Sequence, residues 1–156
     1  EKGVRSAVIR ISLIVHSPTD RAGFLVGLAG LAKQKGFVAY PGTGKNRWTA
    51  VHARDLASLF RLALEKGAPG KTWHAVGDEG IPFREIAEAV AARIGLPATS
   101  IPADEMMVPG YFGGLSAVVT GDFVASNAIT RQALGWEPVQ PGLIEDMDNG
   151  HYFPAA

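Results

Sequence analysis

With 156 residues, 47% hydrophobic and 19% charged, the chain carries enough apolar side chains for one domain with a packed core and is too apolar to be disordered. Fifteen Lys and Arg balance fifteen Asp and Glu, so no net field steers it toward nucleic acid or an anionic membrane. Cysteine is absent, which excludes disulfides and thiolate chemistry, and no apolar run nears the roughly 20 residues needed to span a bilayer.

Val4 to Ile11 is β-branched and apolar on both faces, the pattern of a buried parallel strand. Leu13 to Asp20 reads as a loop broken at Ser17-Pro18. Leu25, Leu28, Ala29 and Ala32 follow helical spacing, with Lys33, Lys35 and Gly36 marking the end. A short strand over Phe37 to Tyr40 leads into a turn at Pro41 to Gly44, and Trp48 to Val51 resumes an extended segment. Leu56, Leu59, Phe60, Ala63 and Leu64 then form a stripe expected to face the core, with Asp55 at the positive start of the helix and Lys66-Gly67 at its close.

Thr72 to Val76 reads as a strand. Pro82 suits a first helical position, and Phe83, Ile86, Ala87, Val90 and Ile94 make a second stripe closed by Gly95. Thr99 to Ile101 reads as a short strand. Residues 102–123 lack a period and suit a loop or short helices with a mobile or binding role. Ser126 is placed to cap a helix through Leu134 that Gly135 ends; Gly142 to Asn149 is a last short helix before the aromatic His151-Tyr152-Phe153. Alternation of strands and helices indicates an α/β fold, with 1–156 as a single domain.

The run GTGK at 42–45 invites a phosphate-loop reading and fails it. Ala39 stands where the first glycine is required, Asn46 where a hydroxyl is, and an extended pattern follows instead of a helix. No dinucleotide glycine fingerprint follows any strand, and no serine sits in a G-x-S-x-G elbow. The histidines at 16, 52, 74 and 151 lack the i, i+3 or i+4 spacing of a helical metal site, and a structural or surface role is the default for each. His16 stands apart, because a loop after a buried strand is where α/β proteins place ligands. Asp78-Glu79 and Glu145, Asp146 and Asp148 read as solvated surface. Arg47, after a glycine turn, either clamps a phosphate or carboxylate bidentately or packs as a surface arginine on Trp48.

Four blocks occur in order: RISLIVHSP at 10–18, NRWTAVHARDLA at 46–57, TWHAV at 72–76 followed by PFREIA at 82–87, and LGWEP at 134–138. Together they resemble the R-x-x-x-x-V-[HY]-G-P, R-x-x-x-V-H-V-x-D-x-A, f-x-E-I-A and L-G-W-x-P segments of the extended short-chain dehydrogenase/reductases, the NAD-dependent epimerase/dehydratase family. The resemblance covers that family's carboxyl-terminal half and implies the end of a Rossmann-like sheet plus a substrate-binding lobe.

The family's other half carries the glycine fingerprint and a catalytic Tyr-x-x-x-Lys. Here Tyr40, Tyr111 and Tyr152 are followed four residues later by Gly44, Leu115 and Ala156, so no lysine completes that motif. The resemblance places Leu13, Val15 and His16 in the loop that approaches the nicotinamide, and His16, Arg47 and Trp48 against substrate. Ser17 and Thr19 replace glycines usual in that loop, which restricts its backbone. Asp55 matches a common family aspartate, read as a helix-start and hydrogen-bonding residue.

The resulting expectation is a substrate-binding lobe derived from an NAD(P)-dependent sugar epimerase, dehydratase or reductase, not catalytic alone. The alternative is a stand-alone, non-enzymatic binding or oligomerisation module from a truncated gene. NAD or NADP is implied for the full-length family and no cofactor is expected for the isolated chain. A nucleotide-sugar-like ligand is implied, with neither nucleic acid nor membrane as a partner. Residue 1 is Glu, not Met, and no signal segment opens the chain, so a trimmed or partial cytoplasmic chain is expected. A strand at its start would lack neighbours, so a homo-oligomer or a complementary amino-terminal chain is expected to cover it.

Overall fold

A computed structural model of the chain describes residues 3–107, 111–112, 115–149 and 152–153. His151, and residues 108–110 and 113–114 of the segment without a period, lie outside the described residues. The fold is α/β. In chain order the elements are β1 (Val8–Ile11), β2 (Ile14–His16), α1 (Phe24–Lys35), β3 (Val38–Pro41), β4 (Arg47–His52), α2 (Ala53–Lys66), β5 (Thr72–Ala75), β6 (Asp78–Pro82), α3 (Phe83–Ile94) and β7 (Ala98–Ile101). A 3-10 turn over Glu105–Met107 precedes α4 (Ser116–Thr120), α5 (Ala128–Leu134) and α6 (Leu143–Asp148).

Three parallel pairings organise the strands: β1 with β5, β2 with β4, and β3 with β7. Strand β6 adds antiparallel to β4, with a register irregularity between Trp48 and Ala50. Ile14 to His16, expected in a loop, is therefore a strand. Its register sets His16 opposite His52. The β1–β5 register likewise sets Arg10 opposite His74.

Two apolar clusters hold these pieces together. The larger joins Leu25, Leu28 and Ala32 of α1 to Val38, Trp48, Phe83, Ile86 and Val90, and draws in Met106, Val119, Leu143 and Met147 from the later chain. Phe24, Trp48 and Phe83 pack edge to face or tilted, with centroids 4.7 to 6.0 Å apart. The segment without a period thus contributes core residues through short helices. The smaller cluster sets Val51, Leu59, Ala63, Trp73 and Ala75 around Leu134 and Trp136. The helix ends follow local chemistry. Gly36, Gly95 and Gly135 each close a helix with a positive φ, at 82°, 70° and 63°.

Two core expectations are corrected. Strand β1 starts at Val8, later than expected, and is not buried: Val8 is 57% exposed, and among the described residues β1 pairs only with β5. Of the stripe on α2, Leu59 and Ala63 are buried and Leu56 is half-buried, whereas Phe60 is 44% and Leu64 72% exposed. The reason is geometric. β4, β5 and α5 cover one flank of α2. On the other flank, Arg5, Ser6, Ala7 and Ile9 from the start of the chain join Phe60, Ala63 and Leu64 around an apolar cavity of about 260 Å3. Among the described residues no helix is long and apolar enough to cross a membrane.

Candidate functional site

Parallel strands present ligands at their carboxyl ends, where the chain turns away and leaves backbone groups and side chains in a crevice. Such a crevice opens past the ends of β1 and β5. It is a cavity of about 420 Å3, walled by Arg10, Ile11 and Leu13, by Thr49 of β4, by His74 and Val76, and by residues 122–125. A mostly apolar hollow with a few converging polar groups is the form a small-molecule site takes. Ile11, Leu13, Phe123 and Val124 remain partly exposed around it, so its apolar surface is open to a ligand. The Leu13 N–H donates to Thr49 Oγ1 at 3.3 Å, which fixes how the chain leaves β1 toward β2. His74 sits 3.1 Å from the Ser126 carbonyl through Nδ1; a carbonyl only accepts, so the proton resides on Nδ1.

Arg47, the first residue of β4, stands beside this hollow. Its guanidinium makes a two-pronged bond to Asp122, Nε to Oδ1 at 3.1 Å and one terminal nitrogen to Oδ2 at 2.8 Å. The Arg47 backbone N–H also donates to Asp122 Oδ1, at 2.7 Å. These bonds hold the Asp122 carboxyl below its ordinary range, the side-chain bond first. Asp122 itself lines the hollow. No periodic pattern or motif marked it, although it lies, with the first residue of the strap 123–125, in the stretch 102–123 read as having a mobile or binding role. Thr49 and His74 lie in the blocks at 46–57 and 72–76 without being singled out for a ligand.

Trp48 does not share this position. Successive side chains of a strand face opposite ways, and Trp48 is 2% exposed, inside the aromatic core. The expectations that it touches substrate, or that Arg47 packs on it, are replaced by a buried Trp48 and an Arg47 bound to Asp122. Leu13 lines the hollow, whereas Val15 is partly exposed away from it.

His16, expected to meet a ligand, lies 1% exposed in a separate polar knot. Its Nδ1 is 2.8 Å from Asp146 Oδ2, also buried, and its ring meets that of His52 edge to face at 5.3 Å. His16 Nε2 has no hydrogen-bond partner among the described residues. Asp146 is therefore not the solvated surface residue expected. Glu79, Glu145 and Asp148 are exposed as expected and Asp78 is half-buried. Asp78 Oδ2 accepts the Leu143 N–H at the start of α6, at 3.0 Å, and Glu79 accepts the Asn127 N–H at the start of α5, at 2.8 Å. Next to the knot, the Tyr152 hydroxyl accepts the Ser17 N–H at 2.9 Å, and burial pushes its phenol above the ordinary range, so it stays protonated.

His52 makes the knot sensitive to acid. Its Nδ1 accepts the Arg54 N–H at 3.1 Å and caps α2, a role that needs an unprotonated nitrogen. Burial lowers its pKa below the ordinary 6.5, and the adjacent His16 lowers it further, against the opposing pull of Asp146 and Asp55. Below 6.5 the unfolded chain then binds the proton that the folded chain refuses, so stability falls as pH drops through the window between 6.5 and the lower folded value. Thermal melts across pH 7.5 to about 5 are expected to show this loss, and His52→Asn, which keeps a capping oxygen, to flatten it. A slope unchanged by His52→Asn would assign the acid sensitivity elsewhere.

No protein-family model matches the chain. It is 44% identical over 147 residues to the uncharacterized protein YLL056C of Saccharomyces cerevisiae, covering 94% of this chain and 48% of that protein. It is 41% identical over 152 residues to the uncharacterized protein C2A9.02 of Schizosaccharomyces pombe, covering 97% and 50%. The chain thus spans about half the length of the curated relatives it matches. Among solved structures, it is similar to DesIV, a dTDP-glucose 4,6-dehydratase of Streptomyces venezuelae with NAD and TYD bound, at a TM-score of 0.69 and 16% identity over 97% of this chain and 44% of that one. It is also similar to the UDP-glucuronic acid 4-epimerase of Bacillus cereus in complex with UDP-glucuronic acid and NAD, at 0.65 and 15% over 94% and 44%. The chain has the α/β, Rossmann-like fold of the stretch it shares with these NAD-bound dehydratase and epimerase structures.

Proposed function

We propose that the chain is the substrate-side part of an NAD(P)-dependent epimerase, dehydratase or reductase of the cytoplasm, with the hollow past β1 and β5 as its ligand site. The observation that carries this reading is the convergence of Arg10, Thr49, His74 and Asp122 on an apolar hollow at the carboxyl ends of parallel strands. The likeness in fold to NAD-bound dehydratases and epimerases supports it.

The residues described do not themselves suit a dinucleotide. A pyrophosphate needs free N–H groups at a helix start after a glycine-rich turn. At the start of α1 the Asp20 carboxylate already takes the Ala22 and Gly23 N–H groups, at 3.2 and 2.8 Å, and its charge would repel phosphate. In this reading the redox chemistry comes from residues outside the 156, and this chain shapes and orients the substrate.

Calorimetric titration with small carbonyl compounds, nucleotide sugars, NAD(H) and NADP(H) tests it. One carbonyl or sugar class should saturate, and Leu13→Trp, which fills the hollow from a partly exposed wall, should weaken it at least tenfold without lowering the melting temperature. Saturation unaffected by Leu13→Trp would move the site elsewhere, and tight dinucleotide binding would overturn the division of labour.

A second reading is a stand-alone binding or oligomerisation module. The open edge of β1 and the exposed Phe60 and Leu64 favour it, because such an edge and patch seek a partner. Self-association, or a separate chain supplying further strands, would cover them. Sedimentation velocity at micromolar concentration distinguishes the readings, since a strict monomer that unfolds cooperatively speaks against this one.

A further inference from the structure

We infer that Asp122 is a specificity residue that closes Arg47 to phosphate, so that the hollow takes an uncharged or singly charged, largely apolar carbonyl or hydroxyl compound and not a nucleoside diphosphate. The inference rests on the proposed ligand site and sharpens its substrate class.

Diphosphate recognition by arginine uses the fork of two parallel N–H donors. At Arg47 that fork is filled by the Asp122 carboxylate, and the pair carries no net charge. Nor is Asp122 free to swing aside. Its Oδ1 also holds the Arg47 N–H, and the Phe123 N–H donates to the Arg47 carbonyl at 2.7 Å, so strap and strand are bonded at successive residues. The Asn46 side-chain amide donates to the carbonyls of Val119 and Gly121, at 2.8 and 3.1 Å, and the Ala125 N–H donates to Glu79 O at 3.3 Å. The strap is therefore fixed on both sides of Asp122.

What the hollow presents follows from this. Asp122, not Arg47, forms its wall, beside Ile11, Leu13, Val76, Phe123 and Val124. Arg10 is the one lysine or arginine on that wall, and it has no carboxylate partner among the described residues. With the Arg47–Asp122 pair neutral, Arg10 leaves the wall one net positive charge, which accommodates a hydroxyl, a carbonyl or at most one negative charge. A diphosphate would meet the Asp122 carboxylate first.

Inorganic pyrophosphate is the probe, because it reads the guanidinium without needing the rest of a substrate. Calorimetry on the 156-residue chain should show no saturation at millimolar pyrophosphate. Asp122→Asn should bind it at least tenfold more tightly, and Arg47→Gln on that background should abolish the gain. Thermal melts confirm that each variant folds, and the Arg47 Nε–H signal in NMR should shift on pyrophosphate only in Asp122→Asn. Wild-type affinity within threefold of Asp122→Asn, or a gain that survives Arg47→Gln, overturns the inference. A hollow that binds no carbonyl compound would sink the proposed function while leaving the pyrophosphate result to stand or fall separately.

Discussion

Replacing Trp136 by Ala is expected to cost about 3–5 kcal/mol of stability, the range for emptying a fully buried large aromatic site. Trp136 is fully buried in the smaller cluster, against Leu59, Ala63 and Trp73. Its Nε1–H donates to the Asp55 carbonyl and to Ser58 Oγ, both at 3.0 Å. Asp55 in turn accepts the N–H groups of Val139 and Gln140, at 3.1 and 3.0 Å. The residue after Gly135 thus joins the first turns of α2 to the chain that leads into α6. Urea denaturation checks the figure. Trp136→Phe keeps most of the bulk and removes the indole donor, while the Ser58 hydroxyl still donates to the Asp55 carbonyl at 2.8 Å, so a smaller loss of about 1–2 kcal/mol is expected. A loss below about 1 kcal/mol for Trp136→Ala would mean that the segment after Gly135 is not held through this ring.

The LGWEP block at 134–138 was conspicuous in the sequence, yet its partner Asp55 is 81 residues away along the chain. That contrast recurs. Helices α1, α2, α3 and α5 were legible because each carries its own period and its own glycine or lysine stop, all within the 7 to 14 residues of the helix and its cap. Strand β2 was not, because three residues give no alternation to read and its pairing with Ala50 to His52 is non-local. Spacing on α2 identified residues that share a face but not what covers that face, so Phe60 and Leu64 were assigned to a core that β4, β5 and α5 do not extend to them.

The candidate site divides in the same way. Arg47 drew notice as a cation after a glycine turn, and the strand end at Ile11 to Leu13 drew notice through the resemblance. The carboxylate that decides what Arg47 can bind comes from residue 122, 75 positions on, in a stretch with no period. His16 was singled out as a loop residue after a buried strand, whereas β1 is not buried and His16 itself ends strand β2. Its buried ring is matched to a carboxylate 130 residues away that reads, in sequence, as one of three acids on a short polar helix. Acidic side chains at a helix start suit the dipole whether or not they are exposed, so composition there does not announce a buried pair.

That buried pair carries the other large expected effect. Asp146→Ala should cost about 3–5 kcal/mol, since removing one member of a buried charged or hydrogen-bonded pair strands the other. His16, with Nε2 already without a partner among the described residues, would lose its Nδ1 bond as well. Both residues are 1% exposed, so water cannot replace the missing partner without opening the packing between β2 and α6. Asp146→Asn keeps the volume and an acceptor, and its loss should be nearer the 1.5–3 kcal/mol of a charge-assisted bond. Changing both residues to apolar ones of similar size, His16→Phe with Asp146→Leu, should recover at least half of the Asp146→Ala loss, because neither member of the pair is then left facing a missing partner. The single Asp146 variants act on acid stability with a fixed sign. Asp146 pulls the His52 pKa upward. Taking that charge away lowers the folded value further and widens the window over which acidification destabilises the chain. Urea melts of Asp146→Asn at pH 7.5 and 5.5 should therefore differ by more than those of the wild type. An equal difference would detach His52 from the His16–Asp146 pair, and a double variant no better than Asp146→Ala would show that the pair contributes favourable energy of its own.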